Sequence, residues 1–226
     1  MPKSYLEPFW HAVTRLGEAQ ILLPTAVALA LWLAWRARAQ RLAAVWLLCI
    51  AVAAAVTTAS KVAFMGFGWG WPALDFTGVS GHAMFASVIL PVVCLALACG
   101  PEGRTSAAWQ RAGLAVGVGL ALLVGVSRAA IGVHSWSEIV AGWLVGGVAA
   151  AALLRAVPMP SARLPLWLPV VVGLWLGTAS AKAPPSATHG LVTRWALALS
   201  DRSQPYTRVD MLTAWQLEQQ RARISR

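Results

Sequence analysis

Several ionisable side chains stand at or beside the ends of long apolar segments in this sequence. Such groups are costly near a lipid phase, so each is a candidate functional residue. With their serine and glycine neighbours, the candidates are Lys61, Asp75, Ser80, Gly81, His82, Ser127, Arg128, His134 and Glu138. Histidines, cations and hydroxyls form a set suited to a phosphoryl group, because positioning and charge stabilisation supply most of the catalysis of phosphoryl transfer.

His134 and Glu138 open an apolar segment and are four residues apart, which places both side chains on one face of a helix. A carboxylate that accepts a hydrogen bond from one imidazole nitrogen leaves the other nitrogen unprotonated, so His134 could act as a nucleophile. Glu138 could instead cap the first turn of the helix, since acidic residues favour helix N-termini. Both roles can hold at once.

Ser80, Gly81 and His82 open another segment, where free backbone N–H groups and the helix dipole favour an anion. Lys61 and Arg128 each end a segment and supply positive charge. The alternatives are that the histidines only join helices by hydrogen bonds and that the cations extend toward the interface.

Asp75 lies in the loop before Ser80. It is interpreted first as a turn residue or helix cap, and alternatively as a partner of Lys61 or of substrate. His11 and His189 belong to no motif and are predicted to be interfacial.

The elements that must position these residues are apolar helices. The chain has 226 residues, of which 58% are hydrophobic and 12% are charged. A bilayer core requires about 20 apolar residues per helix, which predicts an all-α polytopic membrane protein of about six helices. The predicted helices cover residues 21–36, 41–64, 82–99, 111–131, 136–157 and 164–181.

Arginine lies in alternate loops, around Arg38, Arg104 and Arg163, whereas the loops 65–81 and 132–135 contain no Lys or Arg. By the positive-inside rule, the arginine-containing loops face the cytoplasm. The candidate residues then lie at the outer face of a bacterial inner membrane, toward the periplasm or exterior.

Three regions are expected: an interfacial amphipathic segment at 1–20, a six-helix membrane domain at 21–181 and an extracytoplasmic tail at 182–226. The tail is either a cap or a loosely ordered arm. The net charge of +10 is interpreted as a consequence of membrane topology and of contact with anionic lipids. Binding of nucleic acid is not expected from it. The three cysteines lie in apolar segments without metal or disulfide spacing. Oligomeric state is left open.

The order Ser80-Gly81-His82, then Ser127-Arg128, five residues, His134, three residues and Glu138, resembles the type 2 phosphatidic acid phosphatases (PAP2), which are related to vanadium haloperoxidases. That family has P-S-G-H followed by S-R-x5-H-x3-D. Here Val79 replaces the proline and Glu138 replaces the aspartate. The resemblance covers roughly residues 61–138.

The family's first element, K-x6-R-P, is only partly present. Lys61 matches its lysine, but the arginine falls on Gly68 and the proline on Trp69. One phosphate ligand is therefore missing or is supplied from elsewhere. The external tail contains Arg194, Arg202 and Arg208. One of these arginines could reach the site as the substitute ligand, or they could equally bind anionic lipid head groups.

The resemblance implies a lipid phosphatase that forms a phosphohistidine on His134. It implies that Glu138 orients His134, and that His82 protonates the leaving oxygen and later activates water. The phosphate-binding residues that it implies are Lys61, Ser80, Gly81, Ser127 and Arg128. It implies no metal and no other cofactor, and a phosphorylated lipid as substrate.

Other functions are compatible with parts of the pattern. Gly78-Val79-Ser80-Gly81 together with His134 could form a serine protease dyad like that of rhomboids. The missing arginine is compatible with a non-catalytic member of the same fold. A covalent intermediate could also pass its phosphoryl group to another lipid instead of water.

Overall fold

The structure is a computed structural model that describes residues 6–98, 106–159 and 188–225 of the chain. Within these ranges the regular structure is helical, without strands. The helices are α1 Glu7–Arg15, α2 Ala19–Trp35, α3 Gln40–Phe67, α4 Gly81–Ala98, α5 Ala107–Ala130, α6 Trp136–Ala156, α7 Thr188–Ser200 and α8 Arg208–Ile224, with a 3-10 turn at Pro72–Leu74.

Five segments of the described residues are long and apolar enough to cross a membrane. They are Glu7–Trp35, Gln40–Phe67, Gly81–Ala98, Ala107–Ala130 and Trp136–Ala156. The prediction of an all-α polytopic membrane protein is thus confirmed. The predicted helix at 164–181 lies outside the described residues.

Helix α4 is the centre of the bundle and packs against α2, α3, α5 and α6. Its sequence is apolar on all sides, as expected for a helix surrounded by others. Tryptophan indole groups form hydrogen bonds between two pairs of neighbouring helices. Trp46 of α3 donates to the Val88 carbonyl of α4 at 3.1 Å, and Trp143 of α6 donates to the Ala121 carbonyl of α5 at 3.1 Å.

Glycines bring α6 directly against the start of α4. A Cβ atom on Gly142 would lie 2.7 Å from the Ser80 carbonyl oxygen, and one on Gly146 would lie 2.3 Å from the Met84 carbonyl oxygen. Small residues at such a spacing let two membrane helices approach closely. The Ser80 amide accordingly donates to the Glu138 carbonyl at 3.0 Å. The first turns of α4 and α6 therefore meet.

Gly146→Ala should lower the thermal unfolding midpoint in detergent, because the added methyl group meets backbone rather than a movable side chain. Overpacking of this kind costs about 1–3 kcal/mol. Gly147→Ala is the matched control, because a Cβ atom at Gly147 has no described atom within 4 Å. Equal midpoints for the two variants would contradict the close contact of α4 and α6.

The tail forms a cap on the end of the bundle where α3 ends and α4 begins. Val192 and Ala196 of α7 and Met211 of α8 pack with Phe64 and Met65 of α3. The Tyr206 amide donates to the Met65 carbonyl at 2.8 Å. Of the two alternatives that the sequence left open for the tail, residues 188–225 form the cap.

Candidate functional site

Four helix ends converge at the capped end of the bundle. Lys61 lies near the end of α3, His82 lies at the start of α4, Arg128 lies at the end of α5, and His134 directly precedes α6. A Cβ atom on Gly81 would lie 4.0 Å from Lys61 Nζ. His82 lies within electrostatic reach of Lys61, Arg128 and His134. The residues predicted from three separate stretches of sequence therefore share one site.

Glu138 is fully buried and links the helix terminus to the histidine. Its Oε2 atom lies 2.6 Å from His134 Nδ1 and accepts a hydrogen bond from the Ser135 amide at 3.2 Å. The Ser135 hydroxyl accepts from the Glu138 amide in return, which completes a capping box. The carboxylate therefore has both roles that its spacing allowed, as cap and as histidine partner.

The other Glu138 oxygen is also fully used. Oε1 accepts a hydrogen bond from the Thr77 amide at 2.9 Å, another from the Thr77 hydroxyl, and a third from Arg208 at 2.7 Å. Sequence reasoning missed Thr77, although it lies in the short loop between the candidate residues Asp75 and Ser80. A carboxylate held on both oxygens has a fixed orientation, and so has the imidazole bound to it.

The His134 imidazole is largely buried, with 16% of its side chain exposed. Burial lowers its pKa below the ordinary value of 6.5, because a charged ring loses hydration there. The hydrogen bond and negative charge of Glu138 act in the opposite direction, and the positive charges of Lys61 and Arg128 reinforce the lowering. The net effect favours the neutral ring.

This direction predicts the acid limb of the pH profile of the phosphatase activity expected from the sequence. Protonation of His134 would remove the lone pair that the expected nucleophilic attack requires, and a lowered pKa delays that protonation. We therefore expect kcat/KM to keep its plateau as the pH falls through 6.5 and to decline only at lower pH. Phosphate release should be measured with a correction for the titration of the substrate, followed by phosphorus NMR. An acid limb at or above 6.5 would contradict this account.

Arg128 is held in place by the N-terminal helix. One of its terminal nitrogens donates to the Thr14 hydroxyl at 2.8 Å, and the buried carboxylate of Glu18 attracts its charge. The Arg128 Nε atom is buried without a hydrogen-bond partner among the described residues. Sequence reasoning missed Thr14, because 114 positions separate the two residues.

Two buried hydroxyl groups of the described residues also have no hydrogen-bond partner, Ser80 Oγ and Thr57 Oγ1. A buried polar group without a partner costs about 1–3 kcal/mol, a cost that a hydrogen bond from either hydroxyl to a water molecule or a polar ligand would remove. Thr57 lies one turn before Lys61 on α3, a spacing that could have revealed it. The Ser127 hydroxyl differs, because it donates to the Val124 carbonyl of its own helix at 2.6 Å.

Gly68 explains why the arginine of the family pattern is absent at this position. It ends α3 in the left-handed conformation, with φ of 72°. The amides of Gly68 and Trp69 donate back to the carbonyls of Phe64 and Ala63 at 2.8 and 3.1 Å. This arrangement is a common glycine-dependent helix end. An arginine here would incur about 1–2 kcal/mol of backbone strain.

Of the three tail arginines Arg194, Arg202 and Arg208, Arg208 reaches the site. Its two terminal nitrogens donate to Asp75 at 2.5 Å and to Glu138 at 2.7 Å. Asp75 is a turn residue with φ of 50°, and its carboxylate pairs with Arg208. Arg202 instead lies over the Tyr206 ring, 5.6 Å from its centre, and Arg194 is exposed on α7.

In the described part of the chain, no three His, Cys, Asp or Glu residues are grouped so that they could hold a metal ion. Besides the two histidines and the carboxylates that hold His134 and Arg208, the site contains cations, hydroxyls and helix amides, which are suited to the oxygens of an anion.

Comparison with known proteins gives the family. The model of the PAP2 superfamily matches residues 66–161. A Klebsiella pneumoniae protein described as "Uncharacterized 22.5 kDa protein in cps region" is 34% identical over 209 residues, which cover 89% of this chain and 97% of that protein. No solved structure matches. The chain belongs to the PAP2 superfamily.

Proposed function

We propose that this protein is a membrane lipid phosphatase that hydrolyses a phosphomonoester or diphosphate of a lipid through a phosphohistidine on His134. Membership of the PAP2 superfamily supports a phosphatase-type function, and the apolar helices support a multi-pass membrane location. The observation that carries the proposal is the 2.6 Å contact between His134 Nδ1 and a fully buried Glu138 carboxylate. It leaves Nε2 as the reactive nitrogen.

In the first step, the Nε2 lone pair of His134 attacks phosphorus and the bond from phosphorus to the lipid oxygen breaks. His82 gives its proton to that oxygen, so the lipid leaves as an alcohol or as a shorter phosphate. The phosphorylated ring becomes cationic, and its Nδ1–H donates to Glu138, which stabilises the positive charge. The lone pair is available only while His134 is neutral.

In the second step, His82 takes a proton from water, and the water oxygen attacks phosphorus. The bond between nitrogen and phosphorus breaks, inorganic phosphate leaves, and His134 returns to its neutral form. Both transition states place negative charge on the equatorial oxygens. The donors that we assign to those oxygens are Lys61, Ser80, Arg128 and the amides of Gly81 and His82.

The unpaired Ser80 hydroxyl and Arg128 Nε support this assignment, since bound phosphoryl oxygens would accept hydrogen bonds from them. The first backbone N–H groups of α4 have no acceptor within the helix, and they lie at the positive end of the helix dipole. We assign Ser127 a structural role at the end of α5, because its hydroxyl donates a hydrogen bond to a carbonyl of the same helix.

The substrate that we propose is a phosphorylated lipid, because the site lies at the end of a bundle of membrane-length helices. Candidates are a polyprenyl diphosphate, phosphatidylglycerophosphate, phosphatidate and a lipid A phosphate. The distribution of arginine among the loops supports a location of the site on the outer face of a bacterial inner membrane.

The proposal is tested by measuring phosphate release from each of these lipids in mixed micelles containing EDTA. We expect turnover of at least one lipid by the purified protein. Folded protein without turnover on the whole panel would favour a non-catalytic member of the fold. Consumption of lipid without release of phosphate, when an acceptor lipid is present, would indicate phosphotransfer. Inhibition by a fluorophosphonate instead of vanadate would indicate a serine hydrolase.

A further inference from the structure

We propose that Arg208, supplied by the C-terminal tail, is a positioning residue of this catalytic centre. By joining Glu138 and Asp75 in one ion-pair network, it fixes the carboxylate that orients His134. The inference rests on the proposed role of His134, and it assigns to the tail a part in catalysis that the PAP2 motifs do not contain.

Both terminal nitrogens of the Arg208 guanidinium group are bound to carboxylates. One terminal nitrogen lies 2.7 Å from Glu138 Oε1 and the other lies 2.5 Å from Asp75 Oδ2. The Glu138 side chain is fully buried, whereas that of Arg208 is 33% exposed. Because both ends of the fork are bound to carboxylates, Arg208 acts on Glu138 and does not replace the missing phosphate ligand at Gly68.

The chain on both sides of Arg208 is anchored. The Thr207 hydroxyl and the Asp210 carboxylate form a capping box that starts α8 at Arg208. Three residues further on, Met211 is buried against Phe64 of α3. On the other side, the Tyr206 amide is bonded to the Met65 carbonyl. An arginine held between such anchors loses little further conformational entropy when it binds the carboxylates.

The network also tunes the charge of His134. Charged or titratable groups from each surrounding element face this ring: Glu138 on α6, Lys61 on α3, His82 on α4 and Arg128 on α5. Arg208 adds a positive charge behind Glu138. This charge weakens the attraction of Glu138 for a proton on His134 and so favours the neutral nucleophile. Asp75 balances part of that charge.

Arg208→Gln and Arg208→Lys test the proposal, with Arg202→Gln and Arg194→Gln as matched tail controls. For Arg208→Gln we expect kcat/KM to fall about tenfold to hundredfold, as for other residues that orient a catalytic ligand. The acid limb should move upward by on the order of one pH unit. Arg208→Lys should restore part of the activity and part of the pH position of the acid limb. Lysine keeps the positive charge but cannot bind both carboxylates with a planar guanidinium group. The controls should match the wild type.

The same shift should appear without substrate. NMR of 15N-histidine-labelled protein in detergent, with the His134 signal assigned from His134→Ala, should show an imidazole that protonates at higher pH in Arg208→Gln. Wild-type kcat/KM together with an unmoved acid limb would overturn the proposal. A loss explained entirely by a smaller folded fraction, with an unmoved His134 titration, would also overturn it. If the wild type lacks turnover on every lipid, the proposed function fails, and the NMR titration alone decides the role of Arg208.

Discussion

Replacing His134 with alanine should abolish turnover of every lipid substrate, with a loss of at least about 10⁴-fold in kcat. Removal of a nucleophile that acts in concert with its partners has effects of this size or larger. The buried carboxylate of Glu138 would then have no ring to orient, and water would have to attack the phosphate ester directly. Phosphate release at saturating lipid, in the presence of EDTA, measures the effect.

The loss should not come from unfolding, because Glu138 keeps its hydrogen bonds to Thr77, Ser135 and Arg208 when the largely buried His134 ring is removed. Val133→Ala is the matched control, since Val133 lies in the same loop and is 47% exposed. Both variants should give thermal unfolding midpoints near that of the wild type. Activity above a few per cent of wild type in His134→Ala would contradict the nucleophilic role.

The second large effect concerns His82 and depends on the leaving group. His82→Ala should reduce kcat/KM on an alkyl lipid phosphate by about 10²–10⁴-fold, the usual contribution of a general acid. On an activated aryl phosphate kcat/KM should change far less, because that leaving oxygen needs no proton. His82 opens α4 beside Lys61, Arg128 and His134, a position from which it can reach the leaving oxygen.

The two halves of the reaction can be separated in the same variant. With the aryl phosphate, the first step of His82→Ala should remain fast while water activation becomes slow. A burst of aryl alcohol equivalent to the enzyme concentration should therefore precede a slow steady state. Equal losses of kcat/KM on the two substrates would contradict the role as acid, and a missing burst would contradict the role as base.

Local spacing predicted the part of the site that lies within single helix turns. His134 and Glu138 are one turn apart, and Ser80 and His82 flank one helix start, so periodicity was sufficient. The partners that complete the site are distant in sequence. Arg128 and Thr14 are separated by 114 positions, and Arg208 and Glu138 by 70. Such pairs depend on packing between helices, and no periodicity within one segment encodes them.

The same contrast applies to the fold. Apolar length predicted the membrane helices, because each must satisfy its own backbone in lipid. Helix α8 has no such signal, since it is polar on most of its surface and only Met211 is buried. Its start could still have been predicted from Thr207 and Asp210, whose spacing fits a capping box. Its docking depends on a contact with α3 that only the folded chain contains.

The most direct test of the account is to capture the covalent intermediate. The purified protein should be mixed rapidly with a lipid substrate labelled in its phosphate, quenched in alkali, and digested for mass spectrometry. The account predicts a base-stable, acid-labile phosphoryl group on the peptide containing His134, in wild type with the lipid and in greater amount in His82→Ala with the activated aryl phosphate labelled in the same way. Label on Ser80, or turnover without labelled histidine in either protein, would contradict it.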